Sequence, residues 1–70
     1  MTNAEKKFNS LVQRYYAAFY ANNGYKPFEI YFQKGWVHLR SKEEYSAAKY
    51  RVKEFEKMTL TLESRIHSLP

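Results

Sequence analysis

The sequence predicts a small α+β domain in which two helices pack with a two-stranded antiparallel hairpin, in the order helix, strand, strand, helix. Three features predict it: an amphipathic stretch near the amino terminus, two short alternating runs around a glycine, and a long seam of apolar residues. A core built from 70 residues is too small to divide, so we expect a single domain over residues 1–70.

The first helix is predicted from its ends and its apolar stripe. Thr2 and Glu5 have the spacing of a capping box, so the helix is expected to begin at about residue 3. It is expected to end at 22–24, where Asn or Gly can take the left-handed conformation. Tyr16 and Tyr20 lie beside the stripe and either widen the core or belong to an interface. The stripe itself is Ala4, Phe8, Leu11, Tyr15 and Ala18.

The hairpin is predicted from residues 28–32 and 36–40, which alternate in polarity on either side of Lys34-Gly35. A two-residue turn pairs apolar with apolar side chains, such as Phe32 with Val37. A three-residue loop would mix the apolar and polar sets, so we favour the two-residue turn. The remaining side chains then share the opposite side of the hairpin: Glu29, Tyr31, Gln33, Trp36, His38 and Arg40.

The second helix is predicted to run from residue 42 to about 68 and to be the longer of the two. Ser41 and Glu44 form a second capping box, and no Gly or Pro interrupts the chain before Pro70. Its seam continues at steps of three and four through Tyr45, Ala48, Val52, Phe55, Thr59, Leu62, Ile66 and Leu69. The last turns would overhang the first helix, which predicts a symmetric homodimer; fraying or folding back is the monomeric alternative. The predicted dimer interface is Leu62, Ile66 and Leu69.

The composition argues against catalysis and against a bound metal or cofactor. The chain has no Cys and no Asp, so His38 and His67 lack partners for a metal shell, and no disulfide can form. Ser64 and His67 are the nearest approach to a nucleophile and base, and they lie together near the chain end by chance. Two glycines cannot build a phosphate loop. We expect no enzyme activity, no metal and no cofactor.

The net charge of +5, from twelve basic and seven acidic residues, suits nucleic acid, an acidic protein surface or anionic lipid. A basic surface that meets only solvent is the plain alternative. The first seven residues are polar, and no stretch approaches the roughly 18 apolar residues of a membrane span. A cytoplasmic location and no membrane partner are therefore expected.

The outer side of the hairpin is the first candidate surface, since Trp, Tyr and Arg are enriched at interface hot spots. Aromatic strands can also stack unpaired bases. The alternative is that a helix covers this side and makes Trp36 part of the core. The predicted partner-binding residues are Tyr31, Gln33, Trp36, His38 and Arg40, with Tyr16 and Tyr20 as neighbours.

A line of lysines along the second helix is the other candidate surface, and the plain interpretation is a solvated helix face. Its members would contact phosphates if the partner were nucleic acid: Lys42, Lys49, Lys53 and Lys57, extended by Lys34.

The function predicted from the sequence is that of a small non-catalytic binding protein acting through protein–protein contact. Short, basic, aromatic domains of this kind suit accessory or inhibitory proteins of phages and mobile elements. Nucleic-acid binding through the lysine line is the second hypothesis. Self-assembly through the carboxy-terminal apolar seam is the third.

Overall fold

The computed structural model describes residues 2–27, 29–40 and 47–68. In these residues a helix is followed by three strands and a second helix, and the strands form one antiparallel sheet in chain order. The α+β class is therefore confirmed. The predicted two-stranded hairpin is part of a larger sheet, which has one more strand than the sequence indicated.

The first helix, α1, spans Asn3–Asn23, as predicted. At its start the Thr2 hydroxyl oxygen accepts a hydrogen bond from the Glu5 amide at 3.1 Å, which satisfies one of the unpaired donors of the first turn. At its end Gly24 takes the left-handed conformation with φ of 79°, and its amide donates to the carbonyl of Tyr20 at 2.8 Å. The two ends of α1 are thus fixed by its own sequence.

The hairpin consists of β1 (Glu29–Gln33) and β2 (Trp36–Arg40) in the predicted register, with Phe32 opposite Val37. Lys34 and Gly35 form the two-residue turn and both have positive φ, 53° and 80°. This is the mirror-image turn whose twist matches that of the flanking strands. The two-residue turn preferred from the sequence is confirmed.

The prediction of one long helix from residue 42 is wrong. Residues Ala48–Tyr50 form a third strand, β3, paired antiparallel with β2, and the second helix, α2, is confined to Val52–Ser68. With 17 residues against 21, α2 is shorter than α1 rather than longer. The predicted cap at Ser41 and Glu44 lies outside the described residues.

The error has a physical reason, because the sequence around β3 fits two patterns. Ala48 and Val52 are four residues apart and continue a helical seam, but Ala48, Tyr50 and Val52 also alternate as in a strand. In the strand, Tyr50 pairs with Val37 and packs against the core, a position that the helical seam did not give it. Pairing also satisfies backbone groups along the second edge of β2.

An odd number of strands sets the direction of α2. Three antiparallel strands return the chain to the end of the sheet where α2 can run in the same direction as α1. Two ion pairs show this, since each advances by seven residues on both helices: Lys7 to Glu56 at 3.0 Å and Arg14 to Glu63 at 2.6 Å.

The core lies between the two helices and one face of the sheet. Phe55 is at its centre, with ring centroids 4.9 Å from Tyr15 and 5.8 Å from Phe8. Thr59 is also fully buried, and its hydroxyl donates to the carbonyl of Phe55 at 2.9 Å, so this buried polar group has a partner. The buried apolar residues are Phe8, Leu11, Tyr15, Ala18, Phe19, Val37, Leu39, Val52 and Phe55.

Because Tyr15 is buried, we expect the protein to lose stability as the pH becomes alkaline. Burial, with a smaller effect of nearby Tyr50, raises the pKa of Tyr15 above its ordinary value of 10.0. As the pH rises above about 10, the unfolded chain releases this proton first, so the folded state loses stability. For one proton the loss is at most about 1.4 kcal/mol per pH unit.

Urea unfolding at several pH values between about 8 and 11 measures this loss. Tyr15→Phe is expected to remove its share of the pH dependence. Tyr20→Phe is the matched control, because it removes the same hydroxyl group from a side chain that is 55% exposed. The same alkaline loss in Tyr15→Phe as in the unmodified protein would show that the Tyr15 hydroxyl does not titrate differently on folding.

Candidate binding site on the outer face of the sheet

The sheet has one face under the helices and one face turned away from them. Along β2, Val37 and Leu39 are buried, whereas the residues that alternate with them are only half-buried. Tyr31 on β1 and Lys49 on β3 are exposed. We call the side turned away the outer face, and it carries Glu29, Tyr31, Gln33, Trp36, His38, Arg40, Lys49 and Arg51.

The middle of the outer face is a row that crosses all three strands. The rings of Tyr31 and His38 are stacked, with centroids 4.6 Å apart and planes 2° from parallel. Lys49 of β3 is the partner of His38 on the other side. At one end of the face, Arg40 donates to the carboxylate of Glu29 in a cross-strand ion pair. Aromatic and charged pairs of this kind are typical stabilising contacts between strands.

The other end of the outer face is built around Trp36, which is opposite Gln33 in the hairpin. The guanidinium carbon of Arg51 lies 3.7 Å from the centre of the Trp36 ring, and the ammonium of Lys49 lies 5.4 Å from it. Both distances are in the range of cation–π attraction. Arg51 Nη1 also donates to the carbonyl of Gly35 at 3.2 Å, so this side chain joins β3 to the hairpin turn.

Between the middle row and Trp36 the outer face contains a depression of about 250 Å³. Two aromatic rings, one amide and two ammonium groups line it, and none of the described side chains along it is acidic. This volume is below the roughly 300 Å³ at which pockets for drug-sized ligands begin. The space suits one flat group rather than a whole small molecule. Its lining residues are Gln33, Lys34, Trp36, His38 and Lys49.

The charge of this region is uneven. Lys34, Lys49 and Arg51 gather at the Trp36 end, whereas the carboxylate of Glu29 lies at the far end, paired with Arg40. Cations gathered on one side of a small domain attract anions and raise their local concentration. The described part of the outer face is therefore a basic surface that carries one exposed aromatic ring, Tyr31, and two half-buried ones, Trp36 and His38.

The predicted partner-binding residues fall into two groups. Five of them lie together on the outer face, and no helix of the described residues covers them: Tyr31, Gln33, Trp36, His38 and Arg40. Tyr16 and Tyr20 lie on α1, in the helix layer on the other side of the sheet, half-buried and exposed respectively. The structure does not bring these two tyrosines together with the outer face.

The lysines of the predicted line do not all lie on one helix face. Lys49 is on β3 beside Trp36, whereas Lys53 and Lys57 are exposed on α2. Lys42 lies outside the described residues. The change has a consequence for the site, because Lys49 and the turn residue Lys34 now border the same depression as the aromatic rings.

The argument for the predicted dimer interface, a second helix longer than the first, does not hold, since α2 is the shorter helix. Leu62 is half-buried and packs against the core of its own chain, and its carbonyl accepts a hydrogen bond from the Asn22 side chain at 3.0 Å. Ile66 is half-buried on α2, and Leu69 lies outside the described residues. Dimerisation itself stays a prediction.

Arg51 is the residue that the sequence reasoning missed. In one long helix Arg51 would be one charge among several on a solvated face. The signal that identifies it is the alternation of Lys49, Tyr50, Arg51 and Val52, in which the basic residues point one way and the apolar residues the other.

Over residues 2–27, 29–40 and 47–68, no three His, Cys, Asp or Glu side chains come close enough together to hold a metal ion. None of the described helices has the length and apolarity needed to cross a bilayer. Compared with protein-family models, curated proteins and solved structures, the chain has no significant match.

Proposed function

We propose that this chain is a small non-catalytic protein that binds an anionic macromolecule on the outer face of its sheet. The observation that carries the proposal is the position of Lys49 and Arg51 beside Trp36, with Lys34 in the adjoining turn. From the sequence, the aromatic hairpin and the lysines were predicted to be two separate surfaces. On the folded chain Lys34 and Lys49 lie on the same surface as the aromatic side chains of the hairpin, whereas Lys53 and Lys57 are on α2.

Aromatic and cationic side chains complement each other at such a surface. Trp36 and Tyr31 offer large rigid areas that lose little conformational entropy when they are covered. The neighbouring cations attract the partner from a distance and favour anionic groups over neutral ones. A reaction is not proposed, because the chain contains no Asp or Cys from which to assemble a common nucleophile and base.

Two classes of partner have the required charge. An acidic protein surface would use Trp36, Tyr31 and Arg40 as anchors. A nucleic acid would use the same rings for stacking and the lysines for phosphates. The meeting of Lys49 with Trp36 supports the second class as strongly as the first.

Fluorescence of the lone Trp36 tests the proposal with two simple polyanions. The purified protein is titrated with polyglutamate and with a mixed-sequence oligonucleotide, each at low and at high salt. We expect at least one of them to change the Trp36 emission at low salt and to lose affinity as salt is added. No response to either polyanion at low salt would contradict the proposal.

Lys49→Ala and Lys57→Ala form a matched pair of variants, because each removes one exposed lysine but only Lys49 is on the outer face. Lys49→Ala is expected to weaken binding and, for a single-stranded oligonucleotide, to reduce the slope of log Kd against log salt by about 0.7. Lys57→Ala should bind almost as the unmodified protein does. Equal losses of affinity in both variants would show that binding depends on the net charge of the protein. The outer face would then not be the binding site.

A further inference from the structure

The lining of the depression on the outer face favours one class of anionic partner over the other. Trp36 and His38 flank it, Gln33 contributes an amide, and Lys34 and Lys49 stand at its edge. With such a lining a flat ring can stack on an aromatic side chain, an amide can pair with the polar edge of that ring, and ammonium groups can bind anions beside it. A ring with a polar edge and adjacent negative charge is the description of a nucleotide.

The arrangement favours a single strand over a duplex. In a duplex each base is stacked on both faces and paired along one edge, so it cannot stack on a protein ring. In a single strand the base is free to do so while the sugar–phosphate chain continues along the surface. A run of acidic residues alone would neutralise Lys34 and Lys49 but would leave the space beside Trp36 without a ring.

We infer that the partner is single-stranded nucleic acid, with one base seated in the depression beside Trp36 and the flanking phosphates on Lys34 and Lys49. The inference rests on the proposed function and deepens it. Arg51 has a different part: its guanidinium lies on the Trp36 ring and donates to the Gly35 carbonyl, so it holds the ring in place as a positioning residue.

Two phosphate contacts give a definite salt dependence. For single strands the slope of log affinity against log salt is about −0.7 per phosphate contact, so two contacts predict a slope of about −1.4. This is a shallow dependence, and it leaves much of the affinity to stacking. Stacking of one base changes affinity by about ten-fold or more.

The test is the anisotropy of a labelled single-stranded DNA of roughly 12 nucleotides, a length within the range that a small binding face covers. The competitors are the same sequence as a duplex, an abasic strand with the same phosphates, and polyglutamate. We expect the single strand to bind about ten-fold or more tightly than the abasic strand and the duplex. Polyglutamate should compete weakly.

Two variants separate the base from the phosphates. Trp36→Ala is expected to lower affinity for the single strand about ten-fold while leaving the weak binding of the abasic strand unchanged, and Trp36→Phe should keep most of the affinity. Lys34→Asn removes a cation without disturbing the fold, because Asn followed by Gly is the preferred sequence for this turn. It should reduce the salt slope by about 0.7.

Each result has one meaning. If the abasic strand binds as well as the complete one, or if folded Trp36→Ala binds the complete strand as tightly as the unmodified protein does, the seated base is excluded. If polyglutamate binds and DNA does not, the inference fails while the proposed function stands. If neither binds, both fail. Circular dichroism of each variant shows whether it is folded. If Trp36→Ala does not fold, Trp36→Phe and Lys34→Asn still test the inference.

Discussion

We expect Val37→Asp to unfold the protein at 25 °C. Val37 is fully buried in the central strand, with Phe32 opposite it on β1 and Tyr50 opposite it on β3. The substitution gives up the burial of an apolar side chain, about 1.5–3 kcal/mol, and places an unpaired carboxylate there, at a further cost of several kcal/mol. A domain of this length has a total stability of about 4–10 kcal/mol, so the loss is comparable with the whole.

His38→Asp introduces the same residue one position further along β2 and is the matched control. His38 belongs to the outer face, where Asp is half-exposed and lies opposite Lys49. Loss of the stack with Tyr31 costs about 1 kcal/mol, and the new opposite-charge pair offsets part of this cost. We expect a folded variant. Far-UV circular dichroism and urea unfolding of the two proteins make the comparison; if both remain folded, the assignment of the buried face of the sheet is wrong.

Helix α1 and the hairpin could be predicted from the sequence because local residues determine them. Thr2 and Gly24 close the two ends of α1, and Lys34-Gly35 selects a two-residue turn that sets the pairing of β1 with β2. Each of these signals acts within a few positions of the chain. No knowledge of the rest of the fold was needed.

Strand β3 could not be predicted in the same way. It has only three residues, Ala48–Tyr50, and its stability comes from pairing with β2 and from packing of Tyr50 on the core. Those contacts are made by residues distant in sequence, whereas the local spacing of Ala48, Val52 and Phe55 also fits a helix. Non-local pairing decided between two patterns that were locally equivalent.

The candidate site follows the same division. Alternation along the hairpin was enough to place Tyr31, Trp36 and His38 on one face. The cations beside them depend on β3, so Lys49 was assigned to the wrong surface and Arg51 was overlooked. The basic character of the outer face thus emerges only when the third strand is in place.

We expect Phe55→Ala to reduce the free energy of unfolding by about 3–5 kcal/mol, the usual range for removing a buried phenyl ring. Phe55 is fully buried, and its ring contacts those of Phe8 and Tyr15, so the substitution leaves a cavity between the helices. The position is a sensitive one because it belongs to the apolar seam whether residues 47–51 are helix or strand. Urea unfolding followed by circular dichroism measures the loss.

Leu60→Ala is the control in the same helix, because Leu60 is 52% exposed and Ala is an equally good helix former. We expect its effect to stay within about 0.5 kcal/mol. Phe55→Leu keeps most of the apolar volume and should fall between the two variants. If Phe55→Ala lost no more than Leu60→Ala, the ring would not lie at the centre of the core, and the packing of α2 against α1 would have to be different. A graded series from Leu60→Ala through Phe55→Leu to Phe55→Ala follows only if α2 turns its Phe55 side toward α1 and the sheet.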